Sequence, residues 1–257
     1  MSYFDSDEYV AYIRKHCDFR EDHRLQEGKA CTRPDLEIVH GYTDHLGLGP
    51  GKRILEVGCG TGRIMLSLQE LSGADAWGVD ISKKIVALAH ERYPETRDRI
   101  SSSPGEELHF PDQSFDAVLC WGVFDLTDQA RALAAMMRVL RVGGRLLLTG
   151  KNDNFHNDDS EALAAERSLR ERKVPNHFTN FSAFAQAIEL LGGVFTLCHF
   201  FPRRGDFMRG RPELERPDHF YEYAVVVNKL AHREPSEQQS LASLYSKTWL
   251  RVMGESR

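Results

Sequence analysis

The chain has 257 residues, a length that suits one α/β domain with insertions better than two independent domains. Apolar residues make up 41% of it, enough for a substantial core, and the charged fraction of 28% is ordinary for a soluble protein. The formal net charge is -5 and no basic stripe is present, which argues against a nucleic-acid-binding surface. We therefore expect no nucleic-acid partner.

The cysteine pattern and the apolar runs bear on the compartment. The five cysteines are scattered and lack the paired spacing of zinc sites and disulfide scaffolds. The first residues are acidic and aromatic, whereas a signal peptide would be basic and apolar. No apolar run approaches the roughly 20 residues that span a bilayer. These features predict a cytoplasmic protein with reduced thiols and no membrane partner.

Residues 1–50 are predicted to form a mostly helical cap. A first helix would place Tyr9, Tyr12 and His16 on one face, and a second would follow Pro34. A glycine-rich turn at residues 46–51 then leads into a strand.

From residue 53 to residue 150, strand patterns alternate with helical ones, which indicates right-handed crossovers and a parallel sheet. The predicted strands are 53–57, 76–79, 100–103, 115–120 and 145–149. The predicted helices are 62–71, 82–93 and 127–141, and the last of them would be stopped by Gly143-Gly144.

After residue 150 the alternation ends. The pattern predicts a polar loop at 151–159, helices at 161–172 and 181–191, and strands at 194–201 and 220–228. A basic linker, 202–218, joins these two strands. Residues 236–253 have helical spacing, and this helix would pack on the domain or on the partner subunit of a homodimer.

A glycine-rich turn follows the strand at 53–57 and reads Gly58-Cys59-Gly60-Thr61-Gly62-Arg63. Glycines permit tight turns with positive φ and close approach of a ligand, and a helix begins at once. The dinucleotide fingerprint would need glycine where this chain has Arg63, and the Lys-Ser/Thr pair of a P-loop is absent. A glycine loop alone is weak evidence, and the departure from both fingerprints makes this one more specific.

Asp80 ends the next predicted strand. A carboxylate at this place can accept hydrogen bonds from both hydroxyls of an unmodified ribose. Its alternative role is to cap the following helix, although Ser82 could supply that cap instead. We predict the ribose role.

Four blocks in order, 54–63, 78–81, 108–116 and 138–148, closely resemble class I, Rossmann-like S-adenosylmethionine-dependent methyltransferases, particularly the small-molecule branch. The resemblance covers roughly residues 53–150. It implies an α/β fold with a doubly wound, seven-stranded, mostly parallel sheet, with N-terminal helices and inserts forming a lid. One methyltransferase domain would span 1–257: a cap (1–50), a cofactor-binding core (51–150), a substrate side (151–230) and a helical tail (231–257).

The resemblance also implies the cofactor, S-adenosylmethionine, its product S-adenosylhomocysteine, and the residues that bind them. These residues are Arg33, Glu56, Gly58, Cys59, Gly60, Gly62, Asp80, Ile81, Gly105, Glu106, Cys120 and Trp121. The glycines would line the methionine part and Glu56 would orient its ammonium group. Cys120 and Trp121 would border the sulfonium. Arg33 is either a carboxylate clamp or a surface arginine.

At the adenosine end, the same resemblance gives Asp80 to the ribose and Ile81 to the face of the adenine. Gly105 and Glu106 would lie at the adenine edge. The family commonly has an acidic residue where this chain has Pro104, so recognition there would rest on backbone groups and Glu106.

Methyl transfer mainly requires that the nucleophile be held near the methyl group, and a hydroxyl acceptor also gains from a general base. Candidate bases follow the carboxyl ends of the strands, where open α/β sheets bind ligands. They are Asp125, Asp153, His156 and His177, each of which could instead be a solvated or capping residue. His156 is the first choice, because imidazole titrates near neutrality.

The acceptor is predicted to be a small molecule, methylated at oxygen rather more readily than at nitrogen. Tyr9 and Tyr12 would belong to a lid or to a packed aromatic face. Arg203 and Arg204 would select an anionic acceptor, such as an acidic sugar or phosphorylated metabolite, or would belong to a solvated loop.

Two alternatives remain, a protein or RNA methyltransferase and a non-catalytic protein that binds S-adenosylmethionine. We expect no metal, although Asp153, Asn154 and Asp158 imitate the carboxylate and amide groups of a divalent site.

Overall fold

The computed structural model describes residues 3–16, 33–233 and 245–246. Its strands are β1 (Arg53–Val57), β2 (Asp75–Asp80), β3 (Ile100–Ser102), β4 (Phe115–Cys120), β5 (Leu140–Lys151), β6 (Phe178–Thr179), β7 (Gly193–Phe201), β8 (Glu222–Lys229) and β9 (Tyr245–Ser246). Its α-helices are α1 (Asp7–His16), α2 (Arg33–His40), α3 (Thr43–Leu46), α4 (Arg63–Ser72), α5 (Lys83–Arg92), α6 (Gln129–Val139), α7 (Ser160–Glu171) and α8 (Phe181–Leu190).

Seven strands form one sheet in the order β3-β2-β1-β4-β5-β8-β7. The first five strands of this order, β3, β2, β1, β4 and β5, each pair in parallel with the next. Strand β8 pairs antiparallel with both β5 and β7. This confirms the predicted seven-stranded, mostly parallel sheet. The strand order reverses between β1 and β4, and ligands of open α/β sheets bind outside the carboxyl ends of the strands at such a switch point.

Helices cover both faces of the sheet, and a hydrophobic core fills each side. One core joins α6 and α8 to the sheet through residues such as Leu133, Met136 and Phe184. The other joins α2, α4 and α5 through residues such as Val39, Leu68 and Ala89. The strands in the middle are therefore apolar on both faces, as parallel strands between two helical layers must be.

The glycines 143 and 144 do not stop helix α6, contrary to the prediction. The helix ends at Val139, and Leu140 already pairs with Phe115 of β4 as the first residue of β5. A Cβ on Gly144 would lie 2.8 Å from the backbone oxygen of Asp116. The lack of a side chain thus allows close approach to the neighbouring strand.

The N-terminal helices differ from the prediction in one respect. The second predicted helix is divided into α2 and α3 at Gly41 and Tyr42, whose amides donate to Ile38 and Val39 in tight turns. Within the described residues, no helix is both long and apolar enough to cross a membrane.

The predicted C-terminal helix is wrong at two positions. Tyr245–Ser246 forms strand β9, which pairs antiparallel with β6. The apolar spacing of the tail resembles a helix, but the exposed backbone edge of β6 supplies a pairing partner that spacing cannot reveal. The rest of segment 236–253 lies outside the described residues.

Candidate active site

The loop after β1 has the strained backbone that its glycines predict. Gly58, Gly60 and Gly62 have φ values of 75°, 55° and 86°. A Cβ on Gly58 would lie 2.5 Å from Val123, whereas a Cβ on Gly60 would meet nothing within 4 Å. The loop is therefore packed against the segment after β4 at one end and open at Gly60. This open glycine leaves room for a ligand to approach the backbone.

Asp80 is held in place by two backbone amides from different turns. The amide of Gly60 donates to Oδ2 and that of Ser82 donates to Oδ1, each at 2.9 Å. The side chain is only 7% exposed, and burial raises its pKa. Ser82 caps α5 by accepting from the amide of Ile85, so Asp80 is not needed as the cap. Each carboxylate oxygen keeps a second lone pair for a ribose hydroxyl.

Glu56 lies beneath the glycine loop and is 2% exposed. Its Oε2 accepts a hydrogen bond of 2.9 Å from the amide of Met65, in the first turn of α4. Burial raises the pKa of Glu56 to about 8, although the Met65 amide and the positive charge of Arg63 oppose this shift. A cationic ligand group beside the loop would restore the carboxylate, as the predicted ammonium would.

At the predicted adenosine end, Ile81 is 47% exposed and free to cover a flat ring. Gly105 packs tightly, because a Cβ there would lie 2.9 Å from Val57. Glu106 has a structural role, since its Oε1 accepts a hydrogen bond of 2.6 Å from the amide of Asp128. That bond ties the loop to the start of α6.

The two cysteines of the predicted cofactor site are buried in the core. Cys59 packs beneath the loop, where a Cβ on Gly78 would lie 2.6 Å from its Sγ, and Cys120 is fully enclosed. Burial raises the pKa of both thiols. They can therefore face a ligand through main-chain atoms only. Both are free thiols, as predicted, and so is Cys198.

A cavity of about 620 Å³ opens beyond the carboxyl ends of β4 and β5. Trp121 and Gly122, which directly follow β4, line the side nearest the glycine loop. The ends of β5 and β8 form another part of the wall, and three segments outside the core complete it: the N-terminal residues, helix α7 with the residues after it, and the loop between β7 and β8. These are the three inserts that the sequence predicts as a lid.

The N-terminal segment lies over the end of β2 and is bound to the residues that follow it. Oδ1 of Asp5 accepts a hydrogen bond of 3.0 Å from Ser82 Oγ, and Asp7 pairs with Lys84 at 2.6 Å. Phe4 is buried and lines the cavity together with Tyr3 and Tyr9. The same segment thus covers both the Asp80 turn and the cavity.

Lys151, the last residue of β5, is the centre of a buried polar network at the cavity wall. Its Nζ donates to Oδ2 of Asp125 at 2.9 Å, to Oε1 of Glu166 at 3.2 Å and to Asn176 at 3.1 Å. Burial lowers the pKa of Lys151, but the two carboxylates outweigh burial and raise it overall. Lys151 is therefore a cation held in place by ion pairs with both carboxylates.

Glu166 has further partners on the far side of the network. It accepts hydrogen bonds from Asn176 Nδ2 and from the hydroxyl of Tyr221. Arg204 donates to the same hydroxyl at 3.1 Å, and its guanidinium lies 5.9 Å from the centre of the Tyr221 ring. Arg204 also lines the cavity. The cluster is satisfied internally, as buried charges must be.

Glu222, the first residue of β8, stands directly opposite Lys151 in the β5–β8 ladder. Its side chain is half-buried and lines the cavity. Burial raises the pKa of Glu222 to about 7 even though Arg204 and Lys151 lower it, and the carboxylates of Asp125 and Glu166 add to the increase.

Residues 55–148 match the model of a family described as a methyltransferase domain. The seven-stranded, mostly parallel sheet and the glycine loop are those that the sequence resemblance implies. This part of the chain is therefore similar to a methyltransferase domain, in agreement with the sequence resemblance.

Two curated relatives resemble the chain over part of its length. The O-methyltransferase cnsE from Penicillium expansum is 34% identical over 154 residues, 58% of this chain and 55% of that protein. The ubiquinone/menaquinone biosynthesis C-methyltransferase UbiE from Geobacter sulfurreducens is 33% identical over 105 residues, 38% of this chain and 41% of that protein. The chain thus spans about half the length of the curated relatives it matches.

A solved structure shares the fold of the methyltransferase domain and its flanking segments. It is the geranyl diphosphate C-methyltransferase from Streptomyces coelicolor A3(2) in complex with Mg²⁺, geranyl diphosphate and S-adenosyl-L-homocysteine. The TM-score is 0.61 at 17% identity, and the match covers 88% of this chain and 83% of that one.

The candidate bases of the methyltransferase domain occupy different places. Asp125 lines the cavity, but its carboxylate is paired with Lys151. His156 does not line the cavity, and its ring packs 5.3 Å from that of His219. His177 does not line it either, and burial lowers its pKa. The backbone amide of Asp153 donates to Thr179. The structure therefore does not support His156 as the first choice.

The predicted acceptor residues are likewise divided. Tyr9 and Arg204 line the cavity. Arg203 does not, because its exposed guanidinium pairs with Asp158 at 2.7 Å. For Arg203, the structure favours the alternative of a solvated loop, because its guanidinium is bound by the exposed Asp158. The side chains of Tyr12 and Arg33 lie outside the described part of the structure.

The acidic loop after β5 is occupied by internal contacts. Asp158 binds Arg203, and Asn154 Nδ2 donates to the backbone oxygen of Asp218 at 2.8 Å. In residues 3–16, 33–233 and 245–246, no three histidine, cysteine or acidic side chains are grouped to hold a metal ion. The expectation of no metal stays a prediction.

Lys151 and Glu222 are among the cavity residues that sequence reasoning missed. Their pairing depends on the register of two strands 70 residues apart in the chain, and an antiparallel β8 brings Glu222 beside the end of β5. A charged residue at the end of an apolar strand was the available signal for both.

Proposed function

We propose that the protein transfers a methyl group from S-adenosylmethionine to a small-molecule acceptor bound in the 620 Å³ cavity. The supporting observation is the position of this cavity, which starts at Trp121 and Gly122 beside the glycine loop. Its volume is in the range of about 300–1,000 Å³ that is typical of small-molecule sites.

The residues around the loop fit the cofactor. Gly60 is open to close approach, Asp80 is aligned for two ribose hydroxyls, and Glu56 is buried where a cationic ammonium would compensate its charge. When bound, S-adenosylmethionine supplies a methyl carbon activated by a positively charged sulfur. The protein must then align the acceptor and exclude water, and Trp121, Tyr9 and the N-terminal segment enclose the space for it.

The acceptor is proposed to carry an acidic group as well as the nucleophile. Arg204 and Arg172 line the cavity, and guanidinium groups suit carboxylate or phosphate. We favour oxygen as the methylated atom. The relatives named above include an O-methyltransferase and a C-methyltransferase, so carbon is the alternative that the test must detect. A cytoplasmic location and a homodimer stay predictions.

The test uses S-adenosylmethionine with a tritiated methyl group and a panel of sugar acids, hydroxy acids, phenols, phosphorylated metabolites, small amines, peptides and RNA. Label should appear in a hydroxylated, acidic small molecule, and mass spectrometry should place it on oxygen. Label transferred to peptides or RNA alone would reassign the protein to macromolecular methylation. Binding of S-adenosylhomocysteine without any turnover would favour the non-catalytic alternative.

A further inference from the structure

Glu222 differs from the other acidic residues of the cavity in that its carboxylate is not engaged. It stands opposite Lys151 in an antiparallel ladder, where directly opposed side chains share one face of the sheet. Within the described residues, no hydrogen bond or ion pair is made by its carboxylate, although it lines the cavity.

The neighbouring acids are already committed. Asp125 is paired with Lys151, and Glu166 is bound by Lys151, Asn176 and Tyr221. A carboxylate locked in an ion pair is a poor proton acceptor, because protonation would leave the buried cation unpaired. Of the acids that the described structure places at the cavity, Glu222 is the one that can take a proton at low cost.

We propose that Glu222 is the general base of the reaction and that the acceptor's nucleophile is a hydroxyl group. This inference rests on the proposed function. A neutral amine would need little more than positioning, whereas a hydroxyl must lose its proton as it attacks. The free carboxylate thus deepens the assignment from methyl transfer in general to O-methylation.

In the proposed step, the hydroxyl oxygen forms a bond to the methyl carbon while the bond from that carbon to sulfur breaks. The sulfur keeps the electron pair. The hydroxyl proton passes to a carboxylate oxygen of Glu222. The products are the methyl ether, S-adenosylhomocysteine with an uncharged sulfur, and protonated Glu222, which returns its proton to solvent.

The surroundings of Glu222 suit a base that works near neutral pH. Charged and titratable groups surround it on several elements: β5, the segment after β4, helix α7 and the residue after it, the β7–β8 loop, β8 and the N-terminal segment. They are Lys151, Asp125, Glu166, Arg172, Arg204, Tyr221, Tyr223, Tyr3 and Tyr9. Burial and the two fixed carboxylates raise the pKa of Glu222 to about 7, and the two cations limit the rise. The base form therefore accumulates as pH rises through about 7.

Glu222→Gln tests the proposal, with the exposed Glu215→Gln in the neighbouring loop as the matched control. The probe is the hydroxylated compound of the panel that the wild-type protein methylates fastest. Glu222→Gln should lower kcat by about 100-fold or more, since general bases contribute about 10²–10⁴-fold. Calorimetric affinity for S-adenosylhomocysteine and the melting temperature should not change. Wild-type kcat should rise with pH through about 7, and the variant should lack this limb.

A second measurement does not depend on any acceptor. Carbon-13 NMR of glutamate-labelled protein should show one side-chain carboxyl that titrates near pH 7 and is missing in Glu222→Gln but present in Glu215→Gln. A Glu222 carboxyl that titrates at the ordinary value overturns the proposal, as does wild-type kcat in Glu222→Gln. Failure of the proposed function would look different: the wild-type protein would methylate nothing and would not bind S-adenosylhomocysteine.

Discussion

At the scale of single residues, Asp80 couples two turns of the methyltransferase domain. Its oxygens accept from the amides of Gly60 and Ser82, so the side chain has one orientation before any ligand binds. Such preorganisation lowers the entropy cost of binding a ribose.

The first prediction concerns this carboxylate. Asp80→Ala should weaken binding of S-adenosylhomocysteine at least tenfold, because each charge-assisted hydrogen bond to the ribose is worth about 1.5–3 kcal/mol. Isothermal titration calorimetry measures the change, and Asp98→Ala, an exposed aspartate before β3, is the control. Equal affinity of the two folded variants would remove Asp80 from the ribose site.

The second prediction concerns Glu56. Because burial raises its pKa to about 8, the folded protein binds this proton more tightly than the unfolded chain does. The wild-type protein therefore loses stability as pH rises from the ordinary glutamate range through about 8, and Glu56→Gln avoids this loss. We compare the melting temperatures of the two proteins at each pH. The difference, Glu56→Gln minus wild type, should increase from about pH 5 to about pH 8 and then level off. A difference that is independent of pH would contradict the raised pKa.

At the scale of elements, the local hydrophobic pattern predicted where most strands and helices lie. It failed where a strand forms only because it pairs with a strand far away in the sequence. The strands at 53–57 and 115–120 have the predicted bounds, because apolar runs between turns specify buried parallel strands. β5 starts five residues earlier than predicted, at Leu140 rather than 145, since its extension is stabilised by Phe115 across the ladder. The residues of β9 were predicted as helix for the same reason, because their own sequence does not reveal the strand with which they pair.

The residues of the candidate site were predictable to the same extent: those set by local sequence were found, and those set by distant strands were missed. Gly58, Gly60 and Asp80 were found because a strand, a turn and a helix start follow one another directly in sequence. Glu222 was missed, and Arg203 was grouped with Arg204, because the register of β8 and the position of Asp158 decide which side chains face the cavity. Adjacent residues in a loop need not share a direction.

The third prediction concerns the β5–β8 ladder, where Gly150 faces Tyr223. A Cβ at position 150 would lie 2.7 Å from Cζ of Tyr223, whose hydroxyl is bonded to Thr179. Gly150→Ala should therefore cost about 1–3 kcal/mol of stability by overpacking. Differential scanning calorimetry should show a lower melting temperature than for Gly49→Ala, whose Cβ would meet nothing within 4 Å. Equal melting temperatures would mean that Tyr223 moves freely.

At the scale of the whole molecule, the proposed function divides the chain into a core for the cofactor and outer segments that enclose the acceptor. Residues 55–148 match the methyltransferase family, whereas most of the cavity wall comes from outside that range. This division explains how a common core can act on different acceptors, since the inserts change the cavity without changing the glycine loop.

The fourth prediction is that catalysis needs no divalent metal. Asp125 and Glu166 are bound by Lys151, and Asp158 is bound by Arg203, so a metal at these acids would have to displace their ion pairs. Methyl transfer should keep its wild-type rate after treatment with EDTA and gel filtration. Activity that is abolished by the chelator and restored by Mg²⁺ would show that the loop after β5 rearranges into a metal site.

The central claim is that the glycine loop, Asp80 and the cavity form one continuous site. A crystal structure of the protein soaked with S-adenosylhomocysteine tests it most directly. We expect both ribose hydroxyls on Asp80, the amino-acid part along Gly58 and Gly60, and the sulfur facing the cavity beside Trp121. A ligand bound elsewhere, or a sulfur separated from the cavity by protein, would contradict the account.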